Sequence, residues 1–266
     1  MITTLLALAL AVSAIDDTPT AQPKAKGTDR PTAAESPLPD GTYVYDWILD
    51  GKIVGQTTFS VVTSKPKGPV AAGTPAVTRV ASSWSYSARG RQMRSTNETE
   101  LEPKTLVARA FTGEQQVSVS QQWGGIYKVD ASLREGIMTA RNEHTGRIRK
   151  HDVIAPEEPY FLANQAFEHM VIIAAVANAS GEKEKTYELL DPRGDSNTLG
   201  TTLTREKKEG DRVRWKLVGF AMKGHYWLDA RGILVRYQQG ELEIALQKFT
   251  PRTARAPKSK PKAEPK

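Results

Sequence analysis

"PEEPYFLANQAFEHMVIIAAVANASG", Pro156–Gly181, is the stretch that breaks a two-residue alternation kept through most of this chain. It opens on Pro and two Glu, residues suited to the first turn of a helix and its dipole. It closes on Asn178 and Gly181, suited to a C-terminal cap. Between them, Met170–Ala177 is an unbroken apolar run. A surface helix would carry a polar stripe there, whereas a helix apolar nearly all round is buried on most sides. The spacing predicts one long helix over 156–181, enclosed by the rest of the chain. Glu157 and Glu158 are assigned to the helix dipole and Glu168 to a solvated edge.

Working outward, the flanking sequence alternates with period two. Tyr43, Tyr45, Trp47 and Leu49 share a face, Asp50-Gly51 is a hairpin turn, and Phe59 and Val61 resume the pattern. Val80, Trp84 and Tyr86 continue it. Leu106–Phe111 and Gln116–Gln121 are predicted as two strands split at Gly113, and further runs lead to Arg147–Ile154. After the helix, strands resume from Thr186–Leu190 to Leu242–Phe249. Short alternating runs punctuated by turn residues indicate an antiparallel meander. The fold class expected is mainly β: a curved, half-barrel-like meander of roughly a dozen strands wrapped around one long buried α-helix.

The ends differ in composition. Residues 1–14 are an apolar run closing on Val12-Ser13-Ala14, the small residues that suit signal-peptide cleavage. The run is too short to span a bilayer, which takes about 20 residues. Export is the expectation, to a periplasmic or secreted location, with no transmembrane segment. Residues 15–40 read as a disordered linker, 41–250 as a single β-rich domain, and 251–266 as a disordered basic tail. The Lys65–Thr74 stretch reads as a loop by its Pro and Gly. In the tail six basic residues stand against Glu264, so most of the formal charge of +7 lies there. Such a segment suits an anionic envelope surface. The chain has no cysteine, which excludes disulfides and thiolate metal sites.

The strongest catalytic-looking stretch is "KGHYWLDARGILVRYQQGELEIAL", Lys223–Leu246. In a strand, His225, Trp227 and Asp229 point one way, and Tyr226 and Leu228 the other. A His–Asp pair can orient a general base. Asp229, however, heads the turn Asp229-Ala230-Arg231-Gly232, a position that favours Asp for its backbone hydrogen bonds. No GxSxG elbow supplies a nucleophile. A hydrolase using His225 and Asp229 is therefore the minor alternative, and no catalytic residue is assigned. His144, His151, His169 and His225 show no HExxH spacing, so neither a metal nor another cofactor is expected. Arg141, Arg147, Arg149 and Lys150, like Arg89, Arg91 and Arg94, lack interleaved aromatics. They read as charged strand edges, not as a nucleic-acid surface. Trp47, Phe59, Trp84, Phe167, Met170, Ile173, Trp215 and Trp227 are the expected lining of a space between sheet and helix.

A resemblance rests on "YVYDWILDGKIVGQTTFSV" (Tyr43–Val61), the Pro-led helix, and "YWLDARGILVRYQQGELEIAL" (Tyr226–Leu246) with its D-x-x-G turn. Together they resemble exported bacterial β-proteins of unknown function. More distantly the chain is similar to the Lol lipoprotein carriers, whose open half-barrel covers helices and holds acyl chains. That resemblance implies a non-catalytic envelope protein binding a lipid, an acyl chain or an envelope component. A scaffold acting through the basic tail is the other expectation kept open.

Overall fold

The structure, a computed structural model, describes residues 36–64, 76–119, 122–163, 166–194, 199–219 and 223–252. The expected signal peptide, the linker as far as residue 35, the loop at 65–74, the turn residues Asp195–Asn197 and the tail beyond 252 lie outside these residues.

The strands are β1 (Gly41–Leu49), β2 (Lys52–Ser64), β3 (Val77–Ala88), β4 (Arg91–Leu101), β5 (Ala108–Val119) and β6 (Gln122–Trp123). Then come β7 (Tyr127–Arg134), β8 (Ile137–His144), β9 (Arg147–Ile154) and β10 (Tyr160–Phe161), followed by the helix α1 (Phe167–Ser180). The return comprises β11 (Glu184–Leu190), β12 (Leu199–Glu209), β13 (Arg212–Gly219), β14 (Lys223–Leu228), β15 (Leu234–Gln239) and β16 (Leu242–Pro251). All sixteen lie in one sheet, more than the sequence pattern resolved. The path runs from β10 through β11 to β16, then through β1 to β5, and ends on β7, β8 and β9, with β6 attached to β5. Among the described residues only β10 pairs in parallel, with β11, and the ladder does not close on itself.

Local chemistry sets the hairpins. Asp50 and Gly51 both have positive φ, 52° and 72°, the two-residue turn whose twist matches the flanking strands. Gly113, by contrast, ends nothing. β5 runs straight through it, because Asn97 and Phe111 crowd that point. A Cβ there would lie 2.8 Å from Asn97 Oδ1 and 2.9 Å from the Phe111 ring. The two strands predicted on either side of Gly113 are one.

The long helix is also corrected. α1 covers only Phe167–Ser180. Pro156 and Pro159 bias the residues before them towards extended backbone. The segment then bonds to the sheet: Tyr160 and Phe161 pair with Leu189 and Leu190, and Leu162 N–H donates to Leu190 O at 2.9 Å. Ala108 N–H donates to Pro159 O at 2.8 Å. What remains is buried as the pattern required, from Phe167 to Ala177, and α1 ends at Gly181 with φ 73°. Its N-terminal Ala166 has no side-chain cap.

Two apolar clusters form the interior. The larger joins α1 to β1, β2, β3 and β11–β16. The smaller lies between β5–β9 and the β10–β11 edge, around Phe111, Met138, Phe161 and Leu190.

Candidate functional site

The sheet's inner face changes character along its rungs. One rung runs Tyr43, Phe59, Ser82, Asn97, Gly113, Val129, Asn142 from β1 to β8. The next runs Tyr45, Thr57, Trp84, Ser95, Gln115, Tyr127. Aromatic rings fill both rungs at β1, rings and hydroxyls alternate at β2 and β3 (Phe59 and Thr57, Trp84 and Ser82), and amides and hydroxyls take over at β4 and β5. The first turn of α1 straddles this border. Phe167 sits edge-on to Tyr45 (centroids 5.0 Å apart) and Trp47 (6.1 Å). Its two successors meet the polar side.

Glu168 is fully buried. Its Oε1 accepts hydrogen bonds from Ser82 Oγ at 2.7 Å and Asn97 Nδ2 at 2.8 Å. Its Oε2 has no partner among the described residues. Burial pushes the carboxyl above the usual range, and the bonds from Ser82 and Asn97 and the Arg193 charge offset this only in part. The solvated edge expected for Glu168 is overturned, because its position on α1 turns it onto β3 and β4.

His169 is also fully buried, and burial lowers its pKa to about 3. Its Nδ1 accepts the Ala163 N–H at 3.0 Å, which leaves the ring proton on Nε2 to donate to Thr99 Oγ1, also at 3.0 Å. The ring thereby takes a backbone donor ahead of α1 where no cap exists. Beyond it, Arg193 Nη1 donates to Gln115 Oε1 at 2.9 Å, and the guanidinium lies 5.3 Å from the Tyr127 ring centre. Buried atoms without partners cluster nearby: Gln115 Nε2, Asn142 Oδ1 and both ring nitrogens of His151. Most native buried polar atoms are paired. A region rich in unpaired ones is therefore a candidate site for a polar group. Sequence reasoning missed it, although Ser82, Ser95, Asn97 and Thr99 carry a signal: polar residues at the inward positions of two adjacent strands.

Of the eight residues expected to line a space, seven turn to the interior. Trp47 and Trp84 stack with centroids 5.6 Å apart, and Phe59 stacks on Tyr43 and Tyr45. Phe59, Phe167, Met170, Ile173 and Trp215 belong to the larger cluster, with Trp47 packed against it. Trp227 does not join them. Tyr226 and Leu228 take the inward positions, so Trp227 lies on the outer face between Arg214 and Arg236. Its Nε1 donates to Glu209 Oε2 at 2.8 Å, and the Arg236 guanidinium covers its ring at 4.8 Å.

His225 and Asp229 are not hydrogen-bonded to each other among the described residues. Asp229 Oδ1 accepts the Arg231 and Ile233 amides, each at 2.9 Å, and its Oδ2 pairs with Arg231 at 2.7 Å. Glu206 is the carboxylate beside His225, at 3.8 Å. Asp229 therefore builds the turn. Among the described residues no group of three or more His, Asp or Glu is placed to hold a metal ion, and no helix is long and apolar enough to cross a membrane.

No family model matches the chain, and no curated protein matches it. Among solved structures it is similar to a beta-barrel-like protein of a domain of unknown function, DUF1849, from Brucella abortus. The TM-score is 0.51 and the identity 15%, over 82% of this chain and 99% of that one. At that identity the likeness is one of fold: this chain shares a β architecture with a protein whose function is itself unassigned.

Proposed function

We propose that this chain is a non-catalytic, exported envelope protein that binds a lipid, an acyl chain or another envelope component between sheet and helix. The observation that carries this reading is the border on the inner face, where an aromatic wall of Tyr45, Trp47, Trp84 and Phe167 adjoins the polar residues around Glu168. Binding sites for small molecules pair a mostly apolar lining with a few placed polar groups. An amphipathic ligand would lay its chain on the rings and its head at the seam. The buried side chains of α1 cover that border, so this reading requires α1 to move aside for the ligand. The apolar segment 1–14 and the resemblance to the Lol carriers support export and the acyl-chain class.

The test is native mass spectrometry of the full chain, expressed with its own N-terminal segment and purified without detergent. A retained mass extractable into organic solvent, reduced in Trp84→Ala, is the expected result. An apo mass, together with no displacement of a fluorescent fatty-acid probe, overturns the reading. Cleavage after Ala14, seen by N-terminal sequencing, checks export separately.

A further inference from the structure

β9 ends the sheet, and among the described residues no strand lies beyond it. Its side chains alternate. Val153 is buried against the smaller cluster, with His151 on the same inner face, while Ile148, Lys150, Asp152 and Ile154 are exposed on the outer face. Terminal strands normally avoid exposed isoleucine, because an unpaired edge with apolar side chains invites another strand. Here Ile154 is 83% exposed and Ile148 53%.

The outer-face order Ile148, Lys150, Asp152, Ile154 has a symmetry of its own. In an antiparallel pair centred on one residue, each position before the centre faces the same distance after it on the other strand, on the same face of the sheet. Centred on His151, Lys150 faces Asp152 of a second copy, Asp152 faces its Lys150, and Ile148 faces Ile154 at both ends. The pattern is its own complement. We infer that the free edge of β9 pairs with β9 of a second copy of this chain, continuing one sheet across a two-fold axis at His151.

Charge within the chain favours the same conclusion. Across the existing ladder Lys150 faces Arg141, a like charge, and Asp152 faces Thr139. Neither Lys150 nor Asp152 is ion-paired among the described residues, so both are available to a complement on the free side. Like charges directly opposite destabilise a sheet and opposite charges stabilise it. The edge also excludes a wrong register, since a slip of two residues sets Lys150 against Lys150. The interface is isologous, the commonest form among homo-oligomers.

Sedimentation equilibrium of the full chain tests this with charge reversals at exposed positions. The wild type is expected to show a concentration-dependent dimer. K150D and D152K should each weaken dimerisation at least about tenfold, because each turns two attractive pairs into two repulsive ones. The K150D/D152K double variant restores the complement and should recover the dimer, as should an equimolar mixture of the two single variants. A wild type monomeric at every soluble concentration overturns the inference. So do single variants that keep the wild-type dissociation constant, or variants rescued by neither the swap nor the mixture.

Discussion

Asn97 Nδ2 donates to Glu168 Oε1 across 2.8 Å of space and 71 positions of sequence, joining β4 to the first turn of α1 inside the sheet. A typical hydrogen bond contributes about 0.5–1.5 kcal/mol net, and leaving a buried partner unpaired costs about 1–3 kcal/mol. The seam around Glu168 is therefore where small changes carry large effects.

The sign of the pH dependence at Glu168 follows from its raised pKa. The folded state holds a proton that the unfolded state releases above about pH 4.5, so this group lowers stability as pH rises from there to its folded value. Glu168→Gln removes that linkage while an amide oxygen still accepts from Ser82 and Asn97. The variant should gain stability relative to wild type as pH rises, by up to about 1.4 kcal/mol per pH unit within the window. Urea unfolding across pH 4–7 measures it, and parallel profiles for the two proteins would refute the assignment.

His169 works in the opposite direction. Its folded pKa of about 3 lies below the ordinary 6.5, so stability from this neutral ring is full above pH 6.5 and is lost as pH falls towards 3. The loss should approach about 1.4 kcal/mol per pH unit. Nitrogen NMR should find His169 as the Nε2–H tautomer, with no titration between pH 5 and 8. His169→Gln should show a shallower acid limb and lower stability at neutral pH, since Ala163 N–H loses its acceptor. A ring that titrates near its ordinary value in the folded protein would contradict the geometry.

Gly113→Ala tests the crowding that keeps β5 continuous. Its Cβ must displace Asn97 Oδ1 or the Phe111 ring. The expected cost is about 1–3 kcal/mol, the usual range for overpacking a filled interior. A change under about 0.5 kcal/mol in chemical denaturation would mean the seam has slack that the structure does not suggest.

Trp215 and Trp227 separate the two faces of the sheet. Trp215→Ala empties part of the larger cluster and should cost about 3–5 kcal/mol. Trp227→Phe removes a hydrogen bond to Glu209 on the outer face and should cost about 1 kcal/mol or less. The same pair also probes the proposed binding: Trp227→Phe should leave the retained mass unchanged, whereas Trp84→Ala should not.

What sequence could reveal here was set by periodicity. Tyr43, Tyr45 and Phe59 announced an inward face because alternation is local, and Asp50-Gly51 announced a hairpin because turn chemistry is local too. Alternation also held the information that Trp227 opposes Tyr226, yet the site expectation placed both indole-bearing strands on one side. Leu162 bonding to Leu190 was not legible, since it depends on a partner brought back by the chain's return. Glu168 failed for a related reason: a single carboxylate in a helix reads as solvated until Ser82 and Asn97 are known to face it. Gly113 misled because glycine marks both turns and tight contacts.

The pairing of β1 with β16, Gly41 beside Pro251, places the two ends of the folded chain as neighbours in mid-sheet. The consequence is one of timing. As the polypeptide emerges from the ribosome, β1 to β5 can zip up hairpin by hairpin, but β1 keeps a bare edge until β16 has been made. Through that interval Tyr43 and Tyr45 have β2 beside them on one side and nothing on the other, and an unfinished sheet with an aromatic edge is prone to stick to its neighbours. A chain wired in this way gains from a chaperone that covers its first strand while its last is still being synthesised.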